Sequence, residues 1–144
     1  MDVHDQTALR LAALDQRYTR GRRAIVTVLA SAGRPLTVPE ILDGTDRGAL
    51  PQSSAYRNLT VLNDAAVVRR LPGTDEFARY ELAEELAGHH HHFLCDSCGT
   101  VADVSASPRL ERALAEAARV AADESGFKVT GHRMDLLGRC RDCR

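Results

Sequence analysis

The sequence contains no tryptophan, and its three tyrosines and three phenylalanines make up only 4% of the chain. It therefore offers little on which a single nucleic-acid strand could stack its bases. Lysine is almost absent: Lys128 is the only one, so arginine carries nearly all the positive charge. Long apolar runs are missing as well. The best, Ala24 to Ala30 around Thr27, is far too short to span a bilayer, so no membrane role is expected. The opening residues, MDVHDQ, are polar and acidic, unlike a secretory signal, and the expected location is the cytoplasm. Cysteine is limited to four residues, all in two C-x-x-C pairs. In a chain without an export signal that pattern favours metal or redox chemistry over structural disulfides. Catalytic signatures are also lacking. There is no H-E-x-x-H, no H-x-E…P-C-x-x-C and no G-x-x-x-x-G-K-[ST], and Ser53 and Ser54 have no nucleophile-elbow context. An enzyme is not expected.

What remains is a chain of 144 residues, 44% apolar and 27% charged, enough for one domain or two small ones sharing an interface. The net charge of −1 conceals an asymmetry. Residues 1–72 hold ten arginines against seven acidic residues; residues 73–144 hold nine basic against thirteen acidic. A basic half joined to an acidic half suggests a polyanion-binding module followed by something else, with chance clustering as the alternative. The spacing predicts a short helix over 6–16 carrying Leu9, Leu11, Ala12 and Leu14. A stronger one follows from Arg20 to Ser31 with Ile25, Val28 and Leu29 on one face, ended by Gly33 and Pro35. Thr37-Val38-Pro39-Glu40 is a capping-box pattern that opens a third helix, and Gly44, Gly48 and Pro51 mark a loop. A fourth helix over 53–65 can turn Leu59 and Leu62 inward while Tyr56, Arg57, Thr60 and Asn63 stay outside. Val67–Leu71 and Phe77–Leu82 read as a hairpin. This is the layout of a winged helix-turn-helix, with the fourth helix as groove reader and the hairpin as wing. The second half reads as strands at 89–95 and 100–104, a helix from Ser107-Pro108 to Gly126, and a last strand over 127–137. The fold expected is α+β: a DNA-binding module over 1–84 and an α/β dimerisation and metal-binding module over 85–144. Residues 83–88 form a boundary without strand character.

Two C-x-x-C turns can bring four thiolates together tetrahedrally, so Cys95, Cys98, Cys140 and Cys143 are expected to hold a structural zinc; a pair of redox dithiols is the alternative. The run His89–His92 gains meaning from strand parity. In an extended segment His89 and His91 point to one face and His90 and His92 to the other, so two metal sites are possible, against the alternative of a solvated histidine-rich turn. Glu111 and His132 could complete the first pair. For the second, Glu81 is the best candidate and Asp103 another. His4 is expected at the surface.

Taken in order, these residues resemble the ferric uptake regulator family across most of the chain. Thr19-Arg20-Gly21-Arg22 is like the family's T-x-Q-R. Ser54-Ala55-Tyr56-Arg57-Asn58-Leu59 looks like its T-V-Y-R-T-L. Arg79-Tyr80-Glu81-Leu82, His89–His92, Cys95-x-x-Cys98-Gly99, His132 and Cys140-x-x-Cys143 follow in the family's order. The resemblance implies a homodimeric, metal-dependent repressor that binds double-stranded operator DNA. It implies DNA contacts for Ser54, Tyr56 and Arg57 on the reader helix, for Arg17 in the minor groove and for Arg22 near the backbone. It also implies a structural site at the four cysteines, a further site at His89, His91, Glu111 and His132, and three sensory ligands, Glu81, His90 and His92.

The chain departs from the family pattern in three places. Gly33-Arg34-Pro35 offers no ligand where many members supply one after the second helix. No cysteine follows the wing between Glu81 and Gly88. Arg69 stands where zinc-sensing members can have an acidic residue. Asp103 or water would then complete the sensory site. Its nitrogen and oxygen donors lean toward Fe2+ or Mn2+, with Zn2+ possible. The alternatives from other classes are a zinc-dependent hydrolase and a metal storage or delivery protein.

Overall fold

The computed structural model describes residues 1–46 and 48–144; residue 47, inside the loop expected between Gly44 and Pro51, lies outside the described residues. Four helices come first: α1 (Val3–Ala12), α2 (Arg20–Ala32), α3 (Val38–Gly44) and α4 (Gln52–Asp64). Strands β1 (Val68–Leu71) and β2 (Arg79–Leu82) follow, then the single turn α5 (Glu84–Ala87). The rest is β3 (His90–Cys95), β4 (Val101–Ser105), α6 (Pro108–Ser125) and β5 (Asp135–Gly138). The fold is thus mixed helix and sheet.

Local chemistry sets most of the helix ends. The Thr19 hydroxyl accepts from the Arg22 N–H at the start of α2, and Gly33 closes that helix at φ +64°, a conformation that costs a side-chain-bearing residue about 1 kcal/mol or more. At α3 the capping box is complete: the Thr37 N–H donates to Glu40 at 2.8 Å and the Glu40 N–H to the Thr37 hydroxyl at 3.4 Å. Helix α6 opens as expected, with Ser107 accepting from Leu110 and Pro108 at the first helical position.

One apolar core gathers these helices around the hairpin. Ile25, Val26 and Leu29 of α2, Ile41 of α3 and Ala55, Leu59 and Leu62 of α4 pack with Val67, Val68 and Leu82. The three-to-four-residue spacing on α4 turns Tyr56, Arg57, Thr60 and Asn63 outward, all exposed. The β1–β2 pair is antiparallel, and Leu36 bridges to Tyr80 by two backbone bonds of 2.9 and 2.7 Å. That bridge ties the entry to α3 onto the hairpin.

The sequence-based elements need three corrections. Helix α1 lies nearer the N-terminus than the expected 6–16, because Asp2 caps it by accepting from the Asp5 N–H. Its inward face is Val3, Thr7 and Leu11, whereas Leu9 and Leu14 are exposed. His4 is not a free surface residue: it is half-buried, with Nδ1 2.6 Å from the Tyr18 hydroxyl. The strand expected over 127–137 is only Asp135–Gly138, since that is the stretch that pairs with β3. Residues 83–88 contain the α5 turn.

The second sheet has the order β4-β3-β5, with β3 antiparallel to β4 and parallel to β5. Helix α6 carries the stripe Leu110, Ala113, Leu114, Ala117, Ala118 and Ala121, yet none of its residues is buried. Phe93 and Leu137 on the sheet are also exposed, at 49% and 70%. Among the described residues, no helix is long and apolar enough to cross a membrane.

Candidate metal centres and nucleic-acid interface

Parallel pairing of β3 with β5 sets Cys95 opposite Gly138, so both C-x-x-C turns lie at the same end of the sheet. Cys95, Cys98, Cys140 and Cys143 bring their sulfurs within 4.8 Å of one another. The Cys98 and Cys140 sulfurs are 3.8 Å apart. That is too long for a disulfide and matches the edge of about 3.8 Å of a tetrahedron with metal–sulfur bonds of about 2.3 Å. Backbone N–H groups of Cys98, Cys140 and Ser97 donate toward Cys95 and hold its thiol down at about 6. Contact with the Cys140 thiol pushes Cys143 up to about 12. Four sulfurs this close compete for protons unless a cation balances them, so the donor set fits zinc. Gly99 turns the backbone at φ +79°, and a Cβ there would run into the Asp75 carboxylate. The hairpin loop thus rests on the cysteine turn, with the Thr74 hydroxyl donating to the Cys95 carbonyl at 2.8 Å.

The histidine run alternates sides, although β3 begins only at His90 and His89 lies in the bend just before it. On one side His89, His91, Glu111 and His132 converge within 4.8 Å. His91, 1% exposed, places Nε2 2.6 Å from Glu111 Oε1, and His132 Nε2 lies 2.8 Å from Oε2. The His89 and His132 Nε2 atoms are 3.1 Å apart, and His89 Nδ1 is bonded to Glu84. Contact with His91 lowers the Glu111 pKa against a smaller desolvation effect. Three imidazoles around one carboxylate suit a divalent ion.

On the other side Glu81, His90, His92 and Asp103 converge, also within 4.8 Å. Glu81 comes from β2, the two histidines from β3 and Asp103 from β4, where it faces His92 across the antiparallel ladder. Glu81 Oε2 is 3.0 Å from Nε2 of both His90 and His92, while Asp103 Oδ1 stands off at 3.7 and 3.9 Å. The His90 Nδ1 lies 3.0 Å from the Gly88 carbonyl. A proton on Nδ1 for that bond leaves the Nε2 lone pair facing a carboxylate oxygen. A second proton or a metal cation resolves the conflict, so this donor set also fits a divalent ion.

Electrostatics agree. Burial alone would raise the Glu81 pKa, but hydrogen bonds from His92 and His90, with Arg69, bring it down to about 2. Burial would lower the His90 pKa, but its bonds to Glu81 and Gly88 raise it above 6.5. Burial raises Asp103. The first two shifts define a pH window for protein cleared of metal at these nitrogen and oxygen donors. The depressed Glu81 stabilises above about 4.5 and loses this as pH falls through about 2; the raised His90 stabilises below 6.5 and loses it as pH climbs through its folded value. The melting temperature should therefore fall as pH rises from 6.5 through the raised folded value of His90, and Glu81→Gln should flatten that slope. Calorimetric scans giving the same slope for both proteins would refute the assignment.

The residues expected at DNA are placed unequally. Tyr56 is 60% exposed on α4, with Arg57 exposed beside it, and Arg17 is exposed in the segment before α2. Ser54 is half-buried and donates to the Pro51 carbonyl at 3.0 Å. Arg22 is engaged within the chain: it donates to the Arg17 carbonyl at 2.6 Å and to Asn58 Oδ1 at 3.2 Å. Asn58 and Arg69 stand in the sequence without their partners, Arg22 and Glu81. Asn58 sits in the Y-R-N-L segment with nothing to flag a partner thirty-six residues away. Arg69 becomes visible only through the hairpin register that sets it opposite Glu81.

A helical bundle with a hairpin is thus joined to a sheet, and the two together gather three clusters of potential metal donors. The model of the Ferric uptake regulator family matches residues 13–137, and the chain belongs to that family. It is 33% identical to the ferric uptake regulation protein of Campylobacter jejuni over 132 residues, 88% of this chain and 79% of that one. It is 31% identical to the peroxide-responsive repressor PerR of Staphylococcus saprophyticus over 130 residues, 89% of this chain and 82% of that one. Its structure resembles a zinc-bound manganese uptake regulator at a TM-score of 0.70 and 29% identity, covering 94% of this chain and 98% of the other.

Proposed function

We propose that the chain is a transcriptional repressor that binds double-stranded operator DNA as a homodimer when loaded with a divalent metal. In this reading residues 1–84 are a winged helix and 85–144 a dimerisation module, and the protein works in the cytoplasm. Cys95, Cys98, Cys140 and Cys143 hold a structural zinc. Glu81, His90, His92 and Asp103 hold the regulatory ion, Fe2+ or Mn2+ by donor type with Zn2+ acceptable. His89, His91, Glu111 and His132 hold a further one.

The observation that carries this reading is the position of Glu81. It belongs to the hairpin yet shares an oxygen with two histidines of the other sheet. A bound ion supplies positive charge that donors from both halves share. Glu81 is then fastened to β3, and the reader helix takes a fixed direction from the dimerisation module. Moving such an equilibrium from 1:99 to 99:1 takes about 5.5 kcal/mol of differential affinity. The uncovered apolar stripe of α6 and the exposed Phe93 and Leu137 support a second copy as partner. Two copies present two α4 helices to the half-sites of an inverted repeat.

Tyr56 and Arg57 read base edges, Arg17 reaches the minor groove, and other exposed arginines of the basic half neutralise phosphates, so binding falls steeply with salt. Arg22 serves by holding the Arg17 backbone and Asn58 of α4 in place, and Ser54 lies at the phosphate-facing start of α4. The test is to select DNA from a random duplex pool with the metal-loaded protein. Convergence on an inverted repeat is expected; a pool that never converges would contradict the reading and favour metal storage or delivery. Arg57→Ala should cost about 1–3 kcal/mol on the selected duplex and relax preference at the position it reads.

A further inference from the structure

Arg69 lies directly opposite Glu81 in the β1–β2 ladder, and its Nε and one terminal nitrogen both reach Glu81 Oε1 at 2.5 Å. The other oxygen, Oε2, is the one 3.0 Å from His90 and His92. The carboxylate is therefore divided, one oxygen for the wing arginine and one for the histidine pair. Its side chain is 7% exposed and that of Arg69 24%, so salt screens this pair weakly. We propose that Arg69 sets the metal preference of the Glu81, His90, His92 and Asp103 site by confining Glu81 to a single ligand oxygen. This inference rests on the reading of that cluster as a metal site.

Oε1 cannot turn to an ion without giving up the charge-assisted hydrogen bond from Arg69 Nε and the ion-pair contact of its terminal nitrogen, on a guanidinium that stays protonated. With Glu81 held to Oε2, the atoms that face one another are Glu81 Oε2, the Nε2 atoms of His90 and His92, and Asp103 Oδ1. Four donors suit the tetrahedral habit of zinc, whereas manganese favours oxygen-rich, six-coordinate surroundings. The fixed positive charge beside Glu81 also offsets part of the carboxylate's attraction for any dication. Arg69 thus moves a donor set otherwise suited to iron and manganese toward zinc, and it does so from outside the coordination sphere as a positioning residue.

The test uses the full chain with its cysteine cluster loaded. Dissociation constants for Mn2+ and for Zn2+ are measured by competition with a fluorescent chelator. The proteins are wild type, Arg69→Ala, Arg69→Met, Arg69→Gln and His90→Ala. Losing the binding step in His90→Ala identifies which step belongs to this site. With the fork removed, Arg69→Ala should gain affinity for Mn2+ about tenfold more than for Zn2+. Arg69→Met, which keeps the packing of the stem, should do the same if the alanine variant does not fold. Arg69→Gln retains a donor for Oε1 without the charge, so both affinities should rise with the wild-type ratio preserved. An unchanged ratio in both Arg69→Ala and Arg69→Met, with the His90→Ala step lost, would overturn the role of Arg69 alone. If His90→Ala retains every binding step, the metal-site reading falls and the inference with it.

Discussion

Cys95→Ser should lose its zinc and most of the order of the second sheet while the helical core survives. Cys95 is 3% exposed at the end of the central strand, and its sulfur receives the N–H groups of Cys98 and Cys140. It therefore holds both cysteine turns to one point. Around it little else stabilises residues 85–144: α6 contributes no buried side chain, and β5 is four residues long. Zinc binding coupled to folding is worth about 10–16 kcal/mol in small modules, against about 5–15 kcal/mol for the whole stability of an ordinary domain. Losing one of four thiolates should tip the sheet into unfolding. Hydrogen exchange should show amides of β3 and β5 unprotected and those around Leu59 and Leu62 still slow, with zinc analysis reporting one ion fewer. Full protection of β3 in a zinc-free variant would show that the cluster is not structural.

The other large effect is expected at His90. His90→Ala should stay folded, because the core of Leu11, Ile25, Leu59 and Leu62 lies elsewhere, yet added metal should no longer raise its DNA affinity. In the wild type the rise should be about a hundredfold, from the fraction of dimers already closed without metal. Glu111→Ala supplies the contrast. Its partners His89, His91 and His132 all lie in the second half of the chain, so that cluster cannot fasten the hairpin to the sheet. Its loss should lower stability while leaving most of the metal response. Equal loss of response in the two variants would mean that the clusters act as one unit and that Glu81 has no special part.

These results trace back to features of very different legibility. The alternation of His89–His92 follows from strand parity, and it correctly separates the two clusters before any register is known. The cysteine pairs are legible because each C-x-x-C turn is local. Asp103 was only one option in the sequence, since choosing it requires the β3–β4 register that sets it against His92. Arg69 read as a mere absence of an acidic group, because its role depends on a cross-strand partner twelve residues away. Hydropathy alone puts α1 in the wrong frame for a similar reason. Leu9 and Leu14 look like core residues by hydropathy, but the Asp2 cap and the His4–Tyr18 contact turn Val3, Thr7 and Leu11 inward instead. The last strand is shorter than the sequence suggests, because apolar character alone does not supply a neighbouring strand and β3 reaches only Asp135–Gly138.

In the proposed mechanism, donors shared between Glu81 and the histidines of β3 fix the reader helix against the dimerisation module. This is tested most directly by the distance between the two reader helices in the dimer. Spin labels carried on a non-natural amino acid at the exposed position Gln52, which avoids the cysteines, would report it by double electron–electron resonance. A diamagnetic ion, Zn2+, would be added to protein stripped at the nitrogen and oxygen donors. Wild type should pass from a broad distribution to one narrow peak, and His90→Ala should remain broad. A distribution that is equally narrow with and without the ion, or that narrows equally in His90→Ala, would contradict the account.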